Sequence, residues 1–433
     1  MTATLVAALV LSGVVEARLA ESESPACVAV ALVAAKTETA FGCTPGIAGT
    51  KPDERSIFEI GSITKGFTGL ILADMVRKGE VSLDDSVTKY SRPGAKLPVG
   101  AEAITLRDVV TQTSGLPRMP PVFKPANPHN PYADFTADTL YEALAQTELK
   151  ERGKYEYSNF GFMWLSEMLA RRAGKSYEAL VKERVLGPLG MTDTAVNLND
   201  DQAKRFVTGH NAAYQPVAHW EVGANLEGVG ALRAPLADMA KLAEALARRR
   251  DTPLKETIAV ALEPIRPSQG NFTGYAWITT KRGSTRVHWH SGGTAGFHTM
   301  IAVNPDTRTA AVVLVDSSTS FNDLAMHLVD PDTPLIRKRV GLATDPDTLK
   351  QYAGRYELSP AFAIEVFVEG AKLMAQATAQ QAFEVLREGT DVFFYTVVPA
   401  RLRFARGADG QVDGLTLEQG GRELKGKRSA SAR

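Results

Sequence analysis

An α+β domain followed by a small all-β domain is the architecture this sequence predicts, on three observations. Strand-like apolar runs lie near the start and again between Tyr275 and Ser317, with helix-period segments between them. That order builds one antiparallel sheet from two distant parts of the chain and covers it with helices, some forming a helical region of their own. Beyond Asp330–Pro346, a Pro- and Asp-rich linker, the texture changes to short alternating runs split by glycine turns. A length of 433 residues also favours two cores over one. The expected boundaries are 1–335 and 346–433.

Taken in order, Leu5, Leu9, Val15 and Leu19 suit an amphipathic opening helix. Cys27–Val33 reads as a buried strand, with a turn near Lys36 and a return strand toward Phe41. The apolar run ending at Gly61 leads into a helix whose inner face is Phe67, Leu70, Ile71 and Met75, with Asp74 outward. Thr105 caps a short helix to Val110. Pro117 to Pro131 holds six prolines and no periodicity, which fits a functional lid and an irregular structural wrap equally. Helices follow at Ala137–Lys150, at Phe160–Arg172 before Gly174, at Tyr177–Val185 before Gly187-Pro188, and at Leu236–Arg249. Strands are expected at Tyr275–Thr279, Thr285–His290, Phe297–Asn304 and Thr309–Asp316. In the last region eight alternating runs, from Tyr352–Leu358 to Glu423–Lys425, indicate a small barrel or sandwich.

Composition excludes some partners. The 49 basic and 49 acidic residues cancel, so nothing points to nucleic acid or an anionic membrane. No apolar run reaches the roughly 18 residues of a transmembrane helix. The apolar stretch Leu5–Leu11 has no basic residue before it and Arg18 after it, the wrong polarity for a secretory signal. That favours a cytoplasmic protein; a leader already removed would place it in the periplasm or outside the cell. Cys27 and Cys43 flank the expected hairpin. Two small buried hydrophobes is the favoured reading, and a disulfide, which would imply an oxidising compartment, the other.

The chemistry is expected at Ser62-Ile-Thr-Lys65. Gly61 permits a tight turn, so Ser62 opens a helix where free N–H groups and the positive dipole end gather. Lys65, three residues on, stands on the same face. A nearby amine is one of few ways to activate a hydroxyl without histidine. Ser-x-x-Lys alone is weak, with about one chance match expected in a chain this long. The second match, Ser86-Val-Thr-Lys89, runs into Ser91-Arg-Pro-Gly94 and reads as turn or capping chemistry. Acyl transfer further needs a second acid or base, oxyanion donors and a strand edge. Tyr157-Ser-Asn159 can supply a phenol whose phenolate a neighbouring ammonium would favour, and an amide suited to holding Lys65 and a substrate carbonyl. Taken alone, Tyr157 is more simply a packed aromatic at a helix start. His290-Ser-Gly-Gly293 begins as a strand and ends in glycines that let a main-chain N–H face an oxyanion.

Ser62-x-x-Lys65, Tyr157-x-Asn159 and His290-x-Gly292 stand in the order and spacing of the serine hydrolases that resemble class C β-lactamases, a group with penicillin-recognising DD-peptidases, D-aminopeptidases and family VIII carboxylesterases. Ile104-Thr-Leu-Arg-Asp108, Thr113-Ser-Gly-Leu116 and Gly187-Pro-Leu-Gly-Met191 also look like that family, and the resemblance covers roughly residues 15 to 320. It implies a β-lactamase/transpeptidase-like fold and a hydrolase with no cofactor and no metal. Ser62 would be acylated, Lys65 and Tyr157 would share the base and acid role, and Asn159, His290, Ser291 and Gly292 would bind substrate. The N–H groups of Ser62 and Gly293 would form the oxyanion hole. The substrates would be small esters or D-amino-acid-type amides and peptides. A β-lactamase, or a silent binding relative, is the alternative. Related lactamases carry Lys-Thr-Gly as third motif, whereas His290-Ser-Gly is only partly charged near neutrality. Lys281-Arg-Gly283 sits on an expected turn tip, and Gln112 stands where many relatives have His, with no role assigned. The terminal region looks like the lipocalin-like domain of some such enzymes, where it packs near the active-site mouth or a homo-oligomer interface.

Overall fold

The computed structural model describes residues 3–47, 51–121, 123–337, 341–360, 362–378, 380–395, 398, 400–419 and 422–429. They form two compact units, one of the opening helix with Pro25–Ile336, the other of Arg337–Arg433 with Glu21–Ser24.

In the larger unit, strands β1 (Cys27–Val33) and β2 (Thr37–Cys43) form the first hairpin, and β3 (Ile57–Glu59) pairs with β4 (Arg233–Pro235) in a ladder of its own. The strands β5 (Arg266–Ser268), β6 (Asn271–Thr273), β7 (Ile278–Arg282), β8 (Thr285–Gly293), β9 (His298–Asn304) and β10 (Thr309–Val315) follow. The main sheet runs β2-β1-β10-β9-β8-β7-β6-β5, antiparallel throughout. Both faces are covered, so side-chain alternation divides between two cores. Ala29, Ala31, Ile301, Val312 and Leu314 join the core with the central helices. Val28, Val30, Met300, Val313 and Val315 face α1 (Ala3–Ala20) and the helix Asn322–Val329. This double burial explains why Cys27–Val33 reads as a continuous apolar run. On α1, Leu11, Val15 and Leu19 recur at helical spacing and are buried, while Arg18 pairs with Asp323 at 2.6 Å.

Cys27 and Cys43 are direct partners across β1 and β2 and are disulfide-bonded, which corrects the favoured reading of two separate thiols. Helix α2 (Thr64–Arg77) departs from its expected amphipathic form: residues 64–75 are all buried. Asp74 faces Arg184 at 2.8 Å and Lys78 at 2.8 Å rather than solvent. Two glycines allow this enclosure. A Cβ at Gly69 would lie 2.0 Å from the carbonyl oxygen of Tyr275, and one at Gly66 would lie 2.8 Å from the Trp277 ring. Tyr275–Trp277 thus packs on α2, with Ala276 at φ +70°, and β7 starts at Ile278 instead of Tyr275.

The Thr105 capping box of α3 (Leu106–Val110) is present. Helix α4 (Ala137–Ala145) ends sooner than expected, and α5 (Asn159–Ala173) stops at Gly174 with φ +64°. The helix from Tyr177 passes into a π-helical stretch, Lys182–Leu186, after which a short α-helical segment with Pro188 in its first turn ends at Gly190. Ser86 caps a single turn, and Gly283 turns the β7–β8 hairpin at φ +60°.

The smaller unit is a closed antiparallel barrel of eight strands in sequence order, β11 (Gly354–Ser359), β12 (Phe362–Glu369), β13 (Lys372–Ala377), β14 (Ala382–Gly389), β15 (Val392–Tyr395), β16 (Ala400–Arg406), β17 (Val412–Gln419) and β18 (Arg422–Arg428). Each contains one of the eight expected runs or overlaps it. Tyr352, Tyr356, Phe393, Leu402 and Phe404 fill its core, with the Tyr352 and Phe393 rings 4.8 Å apart. Among the described residues no helix is long and apolar enough to cross a membrane, and no group of three or more His, Cys, Asp or Glu could hold a metal ion.

Candidate active site

β3 delivers the chain to Gly61, whose φ of +50° turns it into a single tight turn, Gly61–Ile63, that continues as α2. Ser62 therefore lies at a helix start, where the first N–H groups lack intrahelical acceptors. It is half-buried and lines a cleft of about 350 Å³ that opens to solvent. Lys65 is fully buried, with Nζ donating to Ser62 Oγ at 2.9 Å and to the Val229 carbonyl at 2.5 Å. Burial, aided by the charge of Arg118, holds the Lys65 amine well below the usual lysine range.

Tyr157 arrives just before α5, its ring centroid 5.1 Å from Lys65 Nζ and its phenol close enough to Ser62 to be influenced by it. Burial pushes this phenol up from 10.0, and Ser62 only partly opposes it. The expected drift toward phenolate is thus reversed: desolvation of the buried phenol outweighs Ser62 and the charge of Arg118, which favour the anion. Asn159 is buried beside the cleft, yet its amide donates to Tyr132 OH at 3.4 Å and Met119 Sδ at 3.7 Å. It does not hold Lys65, whose amine the Val229 carbonyl takes instead, and its Oδ1 has no partner.

The strand β8 reaches the site from the sheet. Thr294 N–H donates to the Phe297 carbonyl, so alternation turns the Gly293 N–H away from β9. It faces the Ser62 turn, since a Cβ at Gly61 would lie 2.7 Å from Gly293 N. β7 pairs with β8 only as far as Trp289, which leaves the main chain at Ser291 and Gly293 as an open edge on that side. Gly292 fixes the approach: a Cβ there would lie 2.0 Å from the Ile60 carbonyl oxygen, and Thr299 Oγ1 donates to the same oxygen at 2.9 Å.

His290 is buried, its Nδ1 2.7 Å from the Ser291 carbonyl. Burial, then the nearby Lys65, push the imidazole down to about 4. It is neutral at pH 7, which corrects the expectation of partial charge. The cleft is walled by Gly61, Ser62, Tyr132, Asn159, Trp220, Val222, Val229, Gly230, Gly293 and Thr294; of the residues expected to bind substrate, His290, Ser291 and Gly292 of β8 are not among these walls. The segment Trp220–Gly230 escaped sequence reading because it contributes a carbonyl and close-packed backbone. Glu59 fixes its start, accepting from Trp220 N at 2.7 Å. An aromatic wall begins in the proline-rich stretch and continues past it, with Phe123 against Tyr132 at 5.5 Å and Tyr132 against Trp220 at 5.3 Å.

Comparison with known proteins gives this geometry a family. The Beta-lactamase family model matches residues 1–329. The chain belongs to the beta-lactamase family. Within this family of serine hydrolases, it is 28% identical over 308 residues to the D-alanyl-D-alanine-carboxypeptidase/endopeptidase AmpH of Escherichia coli (strain K12), covering 66% of this chain and 78% of that one. It is 24% identical over 402 residues to Penicillin-binding protein 4* of Bacillus subtilis (strain 168), covering 85% and 87%. The solved beta-lactamase/D-alanine carboxypeptidase from Yersinia pestis superposes with a TM-score of 0.63 at 22% identity, over 76% of this chain and 99% of that one. That likeness establishes the beta-lactamase family fold. Residues 338–428 match a separate model, described as a domain of unknown function (DUF3471).

Proposed function

We propose that this protein hydrolyses small esters or D-amino-acid-type amides and peptides through an acyl-enzyme on Ser62. The observation that carries this reading is the 2.9 Å contact between a cleft-facing hydroxyl and a buried, desolvated amine. A lysine that loses its proton readily has a lone pair for the Ser62 proton while the Val229 carbonyl keeps the amine in place. Tyr157, retained as a phenol, is suited to donate to the leaving group. The N–H groups of Ser62 and Gly293 would receive the oxyanion, and the open β8 edge would align an extended substrate. The relatives named as D-alanyl-D-alanine carboxypeptidases support the peptide arm. With His290 neutral, the third motif offers no cation to a β-lactam carboxylate, which places β-lactamase activity second.

A panel of acyl nitrophenyl esters, D-amino-acid amides, D-Ala-D-Ala peptides and a chromogenic cephalosporin, with Ser62→Ala as control, tests the reading. Turnover of the esters or D-amino-acid substrates that disappears in Ser62→Ala is expected. Faster cephalosporin turnover would reverse the order, and no adduct on Ser62 with a penicillin or a fluorophosphonate would favour a silent binding relative.

A further inference from the structure

Resting on the hydrolase reading, we propose that Glu59 and Arg233 are positioning residues, a buried clamp that holds Trp220 as a wall of the cleft, and that this wall sets the bulk of the acyl group accepted beside Ser62. Trp220 lines the cleft with Ser62, Tyr132, Val222 and Val229, so much of the lining is apolar and answers to size rather than charge. Yet residues 217–223 belong to no helix or strand. The Trp220 indole Nε1 makes no hydrogen bond with the described residues, and its ring packs edge-on to Tyr132 at 5.3 Å. The place of the ring therefore depends on how its main chain is held.

Two side chains hold it. Glu59 Oε1 accepts from the Trp220 N–H at 2.7 Å, and Arg233 Nη2 donates to the Trp220 carbonyl at 2.8 Å, so one residue is gripped at both ends of its main chain. Glu59 and Arg233 are direct partners across β3 and β4, and both are buried. They stand 4.0 Å apart, too far for a direct hydrogen bond, because each is turned to Trp220 rather than to the other. Arg233 Nη1 is anchored on the Val196 carbonyl at 2.5 Å, while Glu59 Oε2 and Arg233 Nε have no hydrogen-bond partner. A buried pair so incompletely satisfied adds little to stability, and its worth lies in what it positions. β3 also leads through Ile60 to Gly61 and Ser62, so one short strand places nucleophile and wall together.

Two readouts test this: hydrogen exchange at the Trp220 amide, and the kcat/KM ratio of nitrophenyl octanoate to nitrophenyl acetate. Trp220→Ala should raise the ratio at least about 10-fold, the least that a methylene is worth in an apolar pocket. Glu59→Ala frees the amide, so it should speed exchange there roughly 2- to 10-fold, the worth of one hydrogen bond, and raise the ratio in the same direction. Glu59→Gln keeps an oxygen for that N–H and should restore slow exchange and most of the selectivity, a rescue that general damage to the fold would not show. Should Glu59→Ala not fold, Arg233→Lys, whose single amine cannot serve both Val196 and Trp220, carries the same expectation for the ratio. A ratio unmoved by Trp220→Ala, or moved by it and by neither clamp variant, overturns the proposal, as does unchanged exchange in Glu59→Ala. The exchange arm needs no turnover, so absence of ester turnover in the unaltered protein sinks the hydrolase reading while the clamp is still judged.

Discussion

At the scale of single residues, the proposed reaction turns on where two protons reside. Lys65 is depressed below its ordinary 10.5 by burial, so its neutral form is available at pH values where an exposed lysine is still charged. Tyr157 is raised above 10.0, so its phenol persists to high pH. If Lys65 is the base, kcat/KM rises from the acid side and levels off well below pH 10.5, with no fall before 10. A rising limb only near 10.5 would remove Lys65 from that role. Tyr157→Phe keeps the ring between Lys65 and Arg118 and deletes only the hydroxyl. It should cost roughly 10²- to 10⁴-fold in kcat, the usual worth of a positioned acid, with Ser62 still acylated slowly by a fluorophosphonate. An unchanged kcat would make Tyr157 a packing residue. Gln112 shows what a single sequence leaves hidden. Its Oε1 accepts from Ser158 N at 2.7 Å and its carbonyl from Glu156 N at 2.8 Å, so it sets the turn that presents Tyr157. Its φ of +61° and these contacts have no local signature, whereas the nearness of Lys65 to Ser62 was legible because a three-residue spacing at a helix start sets it.

At the scale of elements, the site is a junction between one turn and one strand, and glycine makes the junction close. Gly292→Ala would push β8 off Ile60, because its Cβ would meet backbone 2.0 Å away. A displacement near 1 Å between Ser62 and the Gly293 N–H should lower kcat/KM on the order of 100-fold. Gly293→Ala, with open space around its Cβ, should cost much less. Equal losses in the two variants would show that β8 does not position the site by this contact. Elements with a local pattern were readable: β9 and β10 are apolar runs buried on both faces, and barrel strands such as β16 alternate with period two. The exceptions have non-local causes. Helix α2 is enclosed on all sides by segments far away in sequence, so Asp74 is buried despite an amphipathic pattern. The cysteine pair was undecidable from spacing alone, and became a bond once the β1–β2 register set Cys27 opposite Cys43. Closing a loop of 16 residues, that bond should contribute about 3 kcal/mol. Cys43→Ala should therefore lower the denaturation midpoint of the oxidised protein and leave it insensitive to reductant. Equal reductant sensitivity in both proteins would contradict this.

At the scale of the whole molecule, 49 positive and 49 negative side chains leave little net repulsion at neutrality, so a few buried titrating groups should set the response to acid. Burial pushes His288, His290 and His298 down to about 4 from 6.5. Between those values the unfolded chain binds up to three protons that the folded chain refuses, so stability is present above pH 6.5 and is lost as pH falls toward 4. Glu227 acts the other way. Burial raises it to about 7 from 4.5, so over that span the folded chain holds one proton that the unfolded chain releases. The histidines win: near pH 5.5 the unfolded state binds a net two protons more, three less one. Each net proton is worth roughly 1.4 kcal/mol per pH unit, giving an upper bound of about 3 kcal/mol per unit. The four tryptophans, Trp164, Trp220, Trp277 and Trp289, all lie in the larger unit, so their fluorescence in urea follows that unit. Its midpoint should fall steadily from pH 7.5 to pH 5, and Glu227→Gln, which removes the opposing proton, should steepen the fall. A midpoint that holds or rises over that interval would mean the histidines gain protons in the folded state, and their enclosure behind β8 and β9 would then be wrong.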